Sequence, residues 1–119
     1  MKQGKIFTST EKPTDGFIFR REGYCIFISY IDSSSINKLD NDSYEYRKYD
    51  YYGAITSYED LVRKCILLKY YVEDELSLMA KAMEDKNNDQ YIKYREFVSL
   101  CKDNCKASYT SLGLTKTEE

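Results

Sequence analysis

Hydrophobic and polar positions alternate in the first half of the chain and follow a helical period in the second. Residues 6–9, 17–21 and 24–31 are rich in β-branched and aromatic side chains, which favour strands. Turn-forming residues separate these segments at 13–16, and Glu22-Gly23 suits a tight hairpin. The pattern predicts an N-terminal antiparallel sheet.

The strand predicted at 24–31 is apolar on both of its faces. A strand with one face on the core and the other in water should alternate between apolar and polar side chains. One face carries Tyr24, Ile26, Ile28 and Tyr30, and the other carries Cys25, Phe27, Ser29 and Ile31. Either the chain covers both faces or one face meets a partner.

Tyrosines are concentrated after a polar loop predicted at 32–43. Their alternation changes phase near Lys48, which predicts a bulge or a strand end there. One interpretation is an edge strand whose tyrosines cover the core with their hydroxyls in water. The other is a recognition surface, because tyrosine gives a large contact area at low entropic cost. The predicted interface then comprises Tyr24, Ile26, Ile28, Tyr30, Tyr44, Tyr46, Tyr49 and Tyr51.

Apolar residues recur at helical intervals from residue 56 onwards. Thr56 and Glu59 have the spacing of a capping box, with Thr56 as the N-cap. The stripe that follows is Leu61, Cys65, Leu68, Val72, Leu76, Met79 and Met83, backed by Val62 and Ile66. One long helix or two would fit this stripe, and the acids at 73–75 favour a break because they complement a new helix N-terminus. After a turn at 85–89, a further helix carries Tyr91, Tyr94, Phe97, Val98, Cys101 and Cys105 on one face and ends near 106–108.

These patterns together predict one α+β domain at residues 1–109. Its antiparallel sheet of three or four strands lies at about 5–55, and its helical hairpin of two or three helices lies at about 57–107. Residues 110–119 are predicted to be a flexible tail.

The composition argues against catalysis. The 119 residues include no histidine, which removes the commonest general base and the commonest metal ligand. Glu73, Asp74 and Glu75 diverge on one helix and cannot form a carboxylate dyad, and the five glycines form no phosphate-binding loop. We therefore predict a protein that is not an enzyme and binds no cofactor.

Charge and hydropathy limit the classes of partner. The net charge is −2, and basic and acidic side chains are balanced in both halves of the chain, whereas nucleic-acid binders carry a basic excess. No apolar run has the length of a membrane span, and the N-terminus lacks the apolar core of a signal peptide. We therefore expect synthesis in a cytoplasm and neither a nucleic-acid nor a membrane partner. The four cysteines lack zinc-site spacing and are expected to be reduced thiols.

Residues 85–96 resemble an EF-hand calcium loop. Asp85, Asn87, Asp89 and Glu96 stand at the oxygen-ligand positions 1, 3, 5 and 12. However, Gln90 stands where the sharp turn requires glycine, and Lys93 would place a cation beside the ion. The sequence therefore favours a polar turn between helices, with these four residues as a weak calcium candidate.

A set of helix-packing residues lies between 55 and 106. It consists of residues 55–62, Lys69-Tyr70, Asp74-Glu75, Tyr91, Tyr94, Phe97 and Cys101-Lys102. The set resembles a recurrent C-terminal helical module of small bacteriophage proteins, notably tail- or fibre-associated virion components of phages that infect gut Bacteroides. Tyr71 stands where that pattern usually has a capping serine.

This resemblance implies a structural protein of the virion, located in a tail, fibre or head. It would act by docking onto other virion proteins or onto copies of itself. The alternative is a phage-encoded inhibitor that binds a host protein, and a third possibility is a calcium-binding module.

Overall fold

Strands occupy the first half of the chain and helices the second in the computed structural model, which describes residues 1–116. The α+β class predicted from the sequence is confirmed. The sheet unit spans Gln3–Ile55, and the helical unit comprises residues 56–116 together with Met1–Lys2. These units follow the predicted β half and helical half, and their union in a single domain stays a prediction.

The sheet unit contains five antiparallel strands, more than the three or four expected. Their bounds are β1 Lys5–Ser9, β2 Gly16–Glu22, β3 Cys25–Ile31, β4 Asn37–Lys38 and β5 Tyr44–Ala54. The order across the sheet is β1-β5-β3-β2, and β4 also pairs with β5. The additional strand is the two-residue β4, which lies inside the segment whose polar composition predicts a loop.

The hairpin between β2 and β3 turns one residue later than Glu22-Gly23. Glu22 pairs with Cys25, so the turn consists of Gly23 and Tyr24. Gly23 has a φ of 63° and Tyr24 does not share this left-handed conformation. A positive φ at the first turn position alone is typical of a type II′ turn, in which glycine is preferred. The predicted hairpin is therefore present with a shifted turn.

β5 is a continuous eleven-residue strand, so the bulge or strand end predicted near Lys48 is wrong. Lys48 pairs with Lys5 on one side and with Ile31 on the other. The alternation of the tyrosines changes phase because some of them lie on one face of this strand and others on the opposite face. β5 has β1 and β3 as neighbours, which makes it the central strand and corrects the edge-strand interpretation.

The core of the sheet unit lies on one face. Ile26 and Ile28 are fully buried, and Tyr30 and Tyr49 are each 6% exposed. The rings of Phe17 and Tyr30 lie 4.5 Å apart on neighbouring strands. Cross-strand aromatic pairs of this kind stabilise a sheet beyond the area that they bury.

The helical unit contains three helices, since the long apolar stripe is interrupted after Leu68. Their bounds are α1 Tyr58–Leu67, α2 Val72–Glu84 and α3 Asp89–Ser108. The break that the acids at 73–75 favour is therefore present. One of these acids, Asp74, accepts a hydrogen bond from the backbone N–H of Tyr71 at 2.8 Å and so stabilises the start of α2. No helix in residues 1–116 combines the length and the apolar character needed to cross a membrane.

The N-cap of α1 lies one residue after its predicted place. Ser57 is the N-cap, and its hydroxyl accepts a hydrogen bond from the backbone N–H of Asp60 at 3.1 Å. The Asp60 carboxylate in turn accepts from the backbone N–H of Thr56 at 3.4 Å. The N-cap predicted at Thr56 is therefore corrected to Ser57, and the Asp60 carboxylate bonds to the residue before the N-cap, where a capping box would use the N-cap itself.

α1 and α3 pack against each other and form the core of the helical unit. Tyr70, in the break after α1, contacts Tyr94 edge to face with ring centroids 5.1 Å apart. The predicted apolar face of α3 is confirmed at its four buried positions. Buried side chains of the two helices are Leu61, Val62, Cys65 and Ile66 on α1, and Tyr94, Phe97, Cys101 and Cys105 on α3.

α2 presents a different side to the core from the one that the apolar stripe predicts. Its buried residues are Glu75 and Leu78. The stripe residues Val72, Leu76, Met79 and Met83 are all exposed. The stripe is therefore a core feature in α1 only, because the chain turns at residues 68–71 and α2 starts with a new orientation.

The segment after α3 is packed, which corrects the predicted tail as far as residue 116. Leu112 and Leu114 are buried. The backbone N–H of Tyr58 donates to the carbonyl of Thr115 at 2.9 Å, next to a parallel bridge between Ser57 and Thr115. The segment therefore returns to the start of α1. The rest of the predicted tail, residues 117–119, lies outside the described residues.

Candidate functional site

One face of the sheet leaves its large side chains in contact with solvent. Residues paired across strands point to the same face, and the register aligns Arg20 with Phe27 and Phe27 with Tyr52. Ile18 and Tyr52 are 56% and 57% exposed, and the other large side chains are half-buried. We call this the exposed face, and its large apolar and aromatic members are Phe7, Ile18, Phe27, Ile31, Tyr44, Tyr46 and Tyr52.

Basic side chains lie over the aromatic rings of the exposed face. The Arg20 guanidinium is 5.0 Å from the centroid of the Phe27 ring, and the Lys48 ammonium is 5.4 Å from the centroid of the Phe7 ring. Such cation–π contacts hold the aromatic rings in place at an exposed site. Aromatic residues and arginine are also the residues enriched at the centres of protein interfaces.

The eight predicted interface residues fall into three groups. Ile26, Ile28, Tyr30 and Tyr49 are buried, and Tyr51 lies half-buried on the same face. Tyr24 is 92% exposed at the tip of the hairpin. Tyr44 and Tyr46 are half-buried on the exposed face. A buried side chain cannot contact a partner in this conformation, so Tyr24, Tyr44 and Tyr46 are the accessible members of the set, and the interface itself stays a prediction.

Five residues of the exposed face were not part of the predicted interface: Phe7, Ile18, Phe27, Ile31 and Tyr52. Phe27 belongs to the second apolar face of the strand at 24–31, and it is this second face that stays accessible. Ile18 and Phe7 lie on the exposed face because of their cross-strand pairing: Ile18 pairs with Ser29, and Phe7 pairs with Tyr46. The hairpin turn at Gly23-Tyr24 fixes the register of Ile18, but no local pattern in the sequence specifies the pairing of Phe7 on β1 with the distant β5.

The helical unit contains an ion pair whose carboxylate is buried. Arg63 on α1 donates two hydrogen bonds to Glu75 on α2, at 3.1 Å and 2.5 Å. The Tyr94 hydroxyl on α3 donates to the same carboxylate. Glu75 is 6% exposed, so one residue from each helix meets in a low-dielectric setting.

This cluster changes the acidity of its members. Burial alone would raise the pKa of Glu75, but the hydrogen bonds from Arg63 and Tyr94 and the Arg63 charge outweigh it and lower that pKa. Burial and the bond to Glu75 raise the pKa of Tyr94. Glu75 is therefore ionised and Tyr94 protonated at neutral pH, which is the state in which the tyrosine donates. The cluster stabilises the contact of three helices.

All four cysteines are free thiols, and three of them are buried. The Sγ atoms of Cys65 and Cys105 lie 3.5 Å apart between α1 and α3. The hydrogen bond with Cys105 and burial raise the pKa of the Cys65 thiol, and burial raises the pKa of Cys101. A thiol reacts as its thiolate, so these groups are poor nucleophiles.

We expect Ellman's reagent to modify one thiol of the native protein rapidly, namely the half-buried Cys25. Three more should react only after unfolding in denaturant, because burial shields them. The measurement is the absorbance of released thionitrobenzoate against time, with and without urea. In Cys25→Ser the rapid phase should disappear, and two or more rapid thiols in the native protein would contradict the burial of Cys65, Cys101 and Cys105.

The calcium loop considered for residues 85–96 is contradicted by the start of α3. Asn88 caps that helix, its side chain accepting from the backbone N–H of Tyr91 at 3.1 Å. Asp89 is thus already helical, and Glu96 lies in the second turn of α3, whereas an EF-hand loop needs twelve residues between its helices. The turn consists of residues 85–88, and its Asp85 side chain accepts from the backbone N–H of Asn87 at 3.0 Å. Among residues 1–116, no group of three or more His, Cys, Asp or Glu side chains could hold a metal ion.

Comparison with known proteins found no match for this chain. The chain matches no protein-family model, no curated protein and no solved structure. The exposed face of the sheet and the exposed apolar residues of α2 are the surfaces of the described chain that suggest contact with other molecules.

Proposed function

We propose that this chain is a docking protein that binds other proteins through the exposed face of its sheet. The observation that carries the proposal is the composition of that face. Five of its seven large apolar and aromatic residues are aromatic, and all seven keep solvent contact. Exposed aromatic side chains interspersed with charged ones, here Lys48 and Asp50, are typical of an interaction surface.

The arrangement of the exposed face also suits docking. Its aromatic side chains project from paired strands, so their positions are fixed before a partner arrives. Tyrosine and phenylalanine lose little conformational entropy on binding, and a preformed surface lowers that loss further. Arg20 and Lys48, which lie over the rings of Phe27 and Phe7, add donors whose hydrogen bonds to a partner would set its orientation.

We further propose that the partners are other proteins of a bacteriophage virion or copies of the same chain. Support for this step is the resemblance of residues 55–106 to the helical module of phage virion proteins. The alternative is a phage-encoded inhibitor that uses the same face on a host protein.

Mass spectrometry of purified virions separates these two proposals. A virion component should be present at a constant ratio to the other structural proteins after gradient purification. Its absence from purified particles, together with recovery in a complex with a host protein, would overturn the virion proposal in favour of the inhibitor.

The double variant Ile18→Lys/Tyr52→Lys should reduce incorporation into virions at least tenfold. Both positions are more than half exposed, so the fold should tolerate lysine while a docked partner should not. Incorporation is measured by quantitative mass spectrometry after complementation of a deletion phage.

The matched control for this variant is Ile6→Lys. Ile6 is 55% exposed in the same sheet, but its partner Arg47 places it on the opposite face. Incorporation of Ile6→Lys should equal that of the unchanged protein. Normal incorporation of the double variant would refute docking through the exposed face.

A further inference from the structure

One side of α2 exposes four apolar side chains in a row. Val72, Leu76, Met79 and Met83 are 47%, 65%, 51% and 90% exposed. Their intervals of four, three and four residues place them within an arc of about 60° around the helix axis and over a length of about 16 Å. We call these four residues the α2 stripe.

The α2 stripe is separate from the side of α2 that packs into the helical unit. Glu75 and Leu78 are the buried residues of this helix, and they lie on the side that meets α3. At 100° per residue, that side is about 90° away from the centre of the stripe. The stripe is therefore additional apolar surface, larger than the helix needs for its own packing.

The flank of the stripe that faces away from the core is acidic. Glu73 and Glu84 stand near its two ends, and Ala80 lies between them. Lys81 is the one basic residue of α2, and it projects on the far side, where its ammonium donates to the Gln90 side chain at 2.6 Å. The stripe thus has an acidic surface on this flank only; on its core-facing flank the Arg63 guanidinium is bonded to Glu75.

We propose that the α2 stripe binds an amphipathic helix of a second protein, with large aliphatic residues on its apolar side and lysine or arginine on its flank. Intervals of four, three and four are the spacing that a second helix matches by knobs-into-holes packing. Ala80 beside the stripe allows that helix to approach closely. Glu73 and Glu84 would then meet the basic flank. This surface goes beyond the exposed face of the sheet and does not depend on it.

Charge argues against other occupants of the stripe. In an antiparallel pair of two copies centred between Leu76 and Met79, Glu73 of one copy comes within about 3 Å along the axis of Glu84 of the other, on the same flank. Because the two carboxylates lie at nearly the same height on the same flank, their repulsion opposes the pairing. Anionic lipid and nucleic acid are opposed by the same two carboxylates.

The test uses two synthetic 21-residue helical peptides and the full chain. Both peptides carry leucine at heptad positions a and d, and one has lysine and the other glutamate at e and g. Fluorescence anisotropy of the labelled peptides at physiological salt gives the affinities. We expect the lysine peptide to bind at least tenfold more tightly than the glutamate peptide.

Two variants connect this binding to the stripe. Leu76→Ser/Met79→Ser should weaken binding of the lysine peptide at least tenfold, while Ser77→Ala, at an exposed position outside the stripe, should leave it unchanged. Glu73→Lys/Glu84→Lys should reverse the preference between the two peptides. Circular dichroism and thermal melting establish that each variant is folded, and the charge reversal stands as a test by itself should the serine variant unfold.

Three results would overturn the proposal. They are equal affinity for both peptides, unchanged binding in Leu76→Ser/Met79→Ser, and a dimer in light scattering that this variant abolishes, which would assign the stripe to a second copy. Loss of peptide binding in Ile18→Lys/Tyr52→Lys with retention in the stripe variant would assign the peptide to the exposed face instead.

Discussion

Replacing Arg63 with leucine should lower the free energy of unfolding by roughly 2–3 kcal/mol. The change leaves the Glu75 carboxylate, which is 6% exposed, with the Tyr94 hydroxyl as its remaining side-chain donor. A buried charge without its counterion is strongly destabilising, and the effect falls at the lower end of its range because the Arg63 side chain is itself 42% exposed. Urea unfolding followed by circular dichroism at 222 nm measures the difference.

The control replaces the whole cluster with apolar residues. In Arg63→Leu/Glu75→Leu/Tyr94→Phe no buried polar group is left unsatisfied, and such replacements are often close to neutral. Its stability should lie within about 1 kcal/mol of the unchanged protein. If the triple variant is as unstable as Arg63→Leu, the loss comes from packing and the ion pair is not its cause.

The pH dependence of this stability difference provides a second measurement of the same effect. In the unchanged protein the folded-state pKa of Glu75 is lowered, so its stabilising contribution is present above the unfolded value of 4.5 and is lost as the pH falls through the folded value. In Arg63→Leu, burial acts without the arginine and raises that pKa, so protonation relieves the destabilisation. The difference between the two proteins should therefore be largest at pH 7 and shrink towards pH 3.5. A difference that stays constant over this range would contradict the assignment.

Replacing Ile28 with alanine should cost about 3 kcal/mol of stability in the sheet unit. Ile28 is fully buried between Phe19 on β2 and Tyr51 on β5, and removing its outer carbons leaves a cavity that paired strands cannot close. Urea unfolding monitored at 218 nm gives the change.

Ile18→Ala is the matched control for Ile28→Ala. The residue type is the same and the two positions lie on neighbouring strands, but Ile18 is 56% exposed on the opposite face. Its replacement should change stability by less than about 0.5 kcal/mol. Equal losses at the two positions would show that both faces of the sheet are covered, and would leave no room for docking on the exposed face.

Local signals in the sequence were sufficient for most of the elements, although they missed β4 and the continuity of β5. Strand-forming residues and a glycine turn specify the β2–β3 hairpin, and the acids at 73–75 mark the start of α2. These features act over a few residues, so they can be identified without knowing the rest of the fold. The same holds for the apolar face of α3, where each buried side chain follows the last by one helical turn.

The orientation of α2 could not be predicted in the same way. A periodic stripe places the core on Val72, Leu76, Met79 and Met83, yet the structure buries Glu75 beside them. Glu75 is accommodated because Arg63 and Tyr94 supply its hydrogen bonds, and these partners are 12 and 19 residues away along the chain. Hydrophobic periodicity carries no information about such distant partners.

The exposed face was missed for a related reason. Tyrosine density identified Tyr44 and Tyr46, but which face of a two-sided strand stays accessible depends on what covers the other. The alternation of Ile26, Ile28 and Tyr30 looks the same from the sequence whether it contacts a partner or the core. Only the assembled fold distinguishes the two.

The position of β5 also determines when the sheet can form during synthesis. Among the described strands, β1, β3 and β4 all pair with β5, which is the last of them in the chain. Until Ala54 has left the ribosome, the β2–β3 hairpin is the one ladder that can exist, and an isolated hairpin is marginally stable in water. The nascent chain therefore holds Ile26 and Ile28 unprotected for about the second half of the synthesis of this unit, and chaperone binding or early contact with a partner is most useful in that interval.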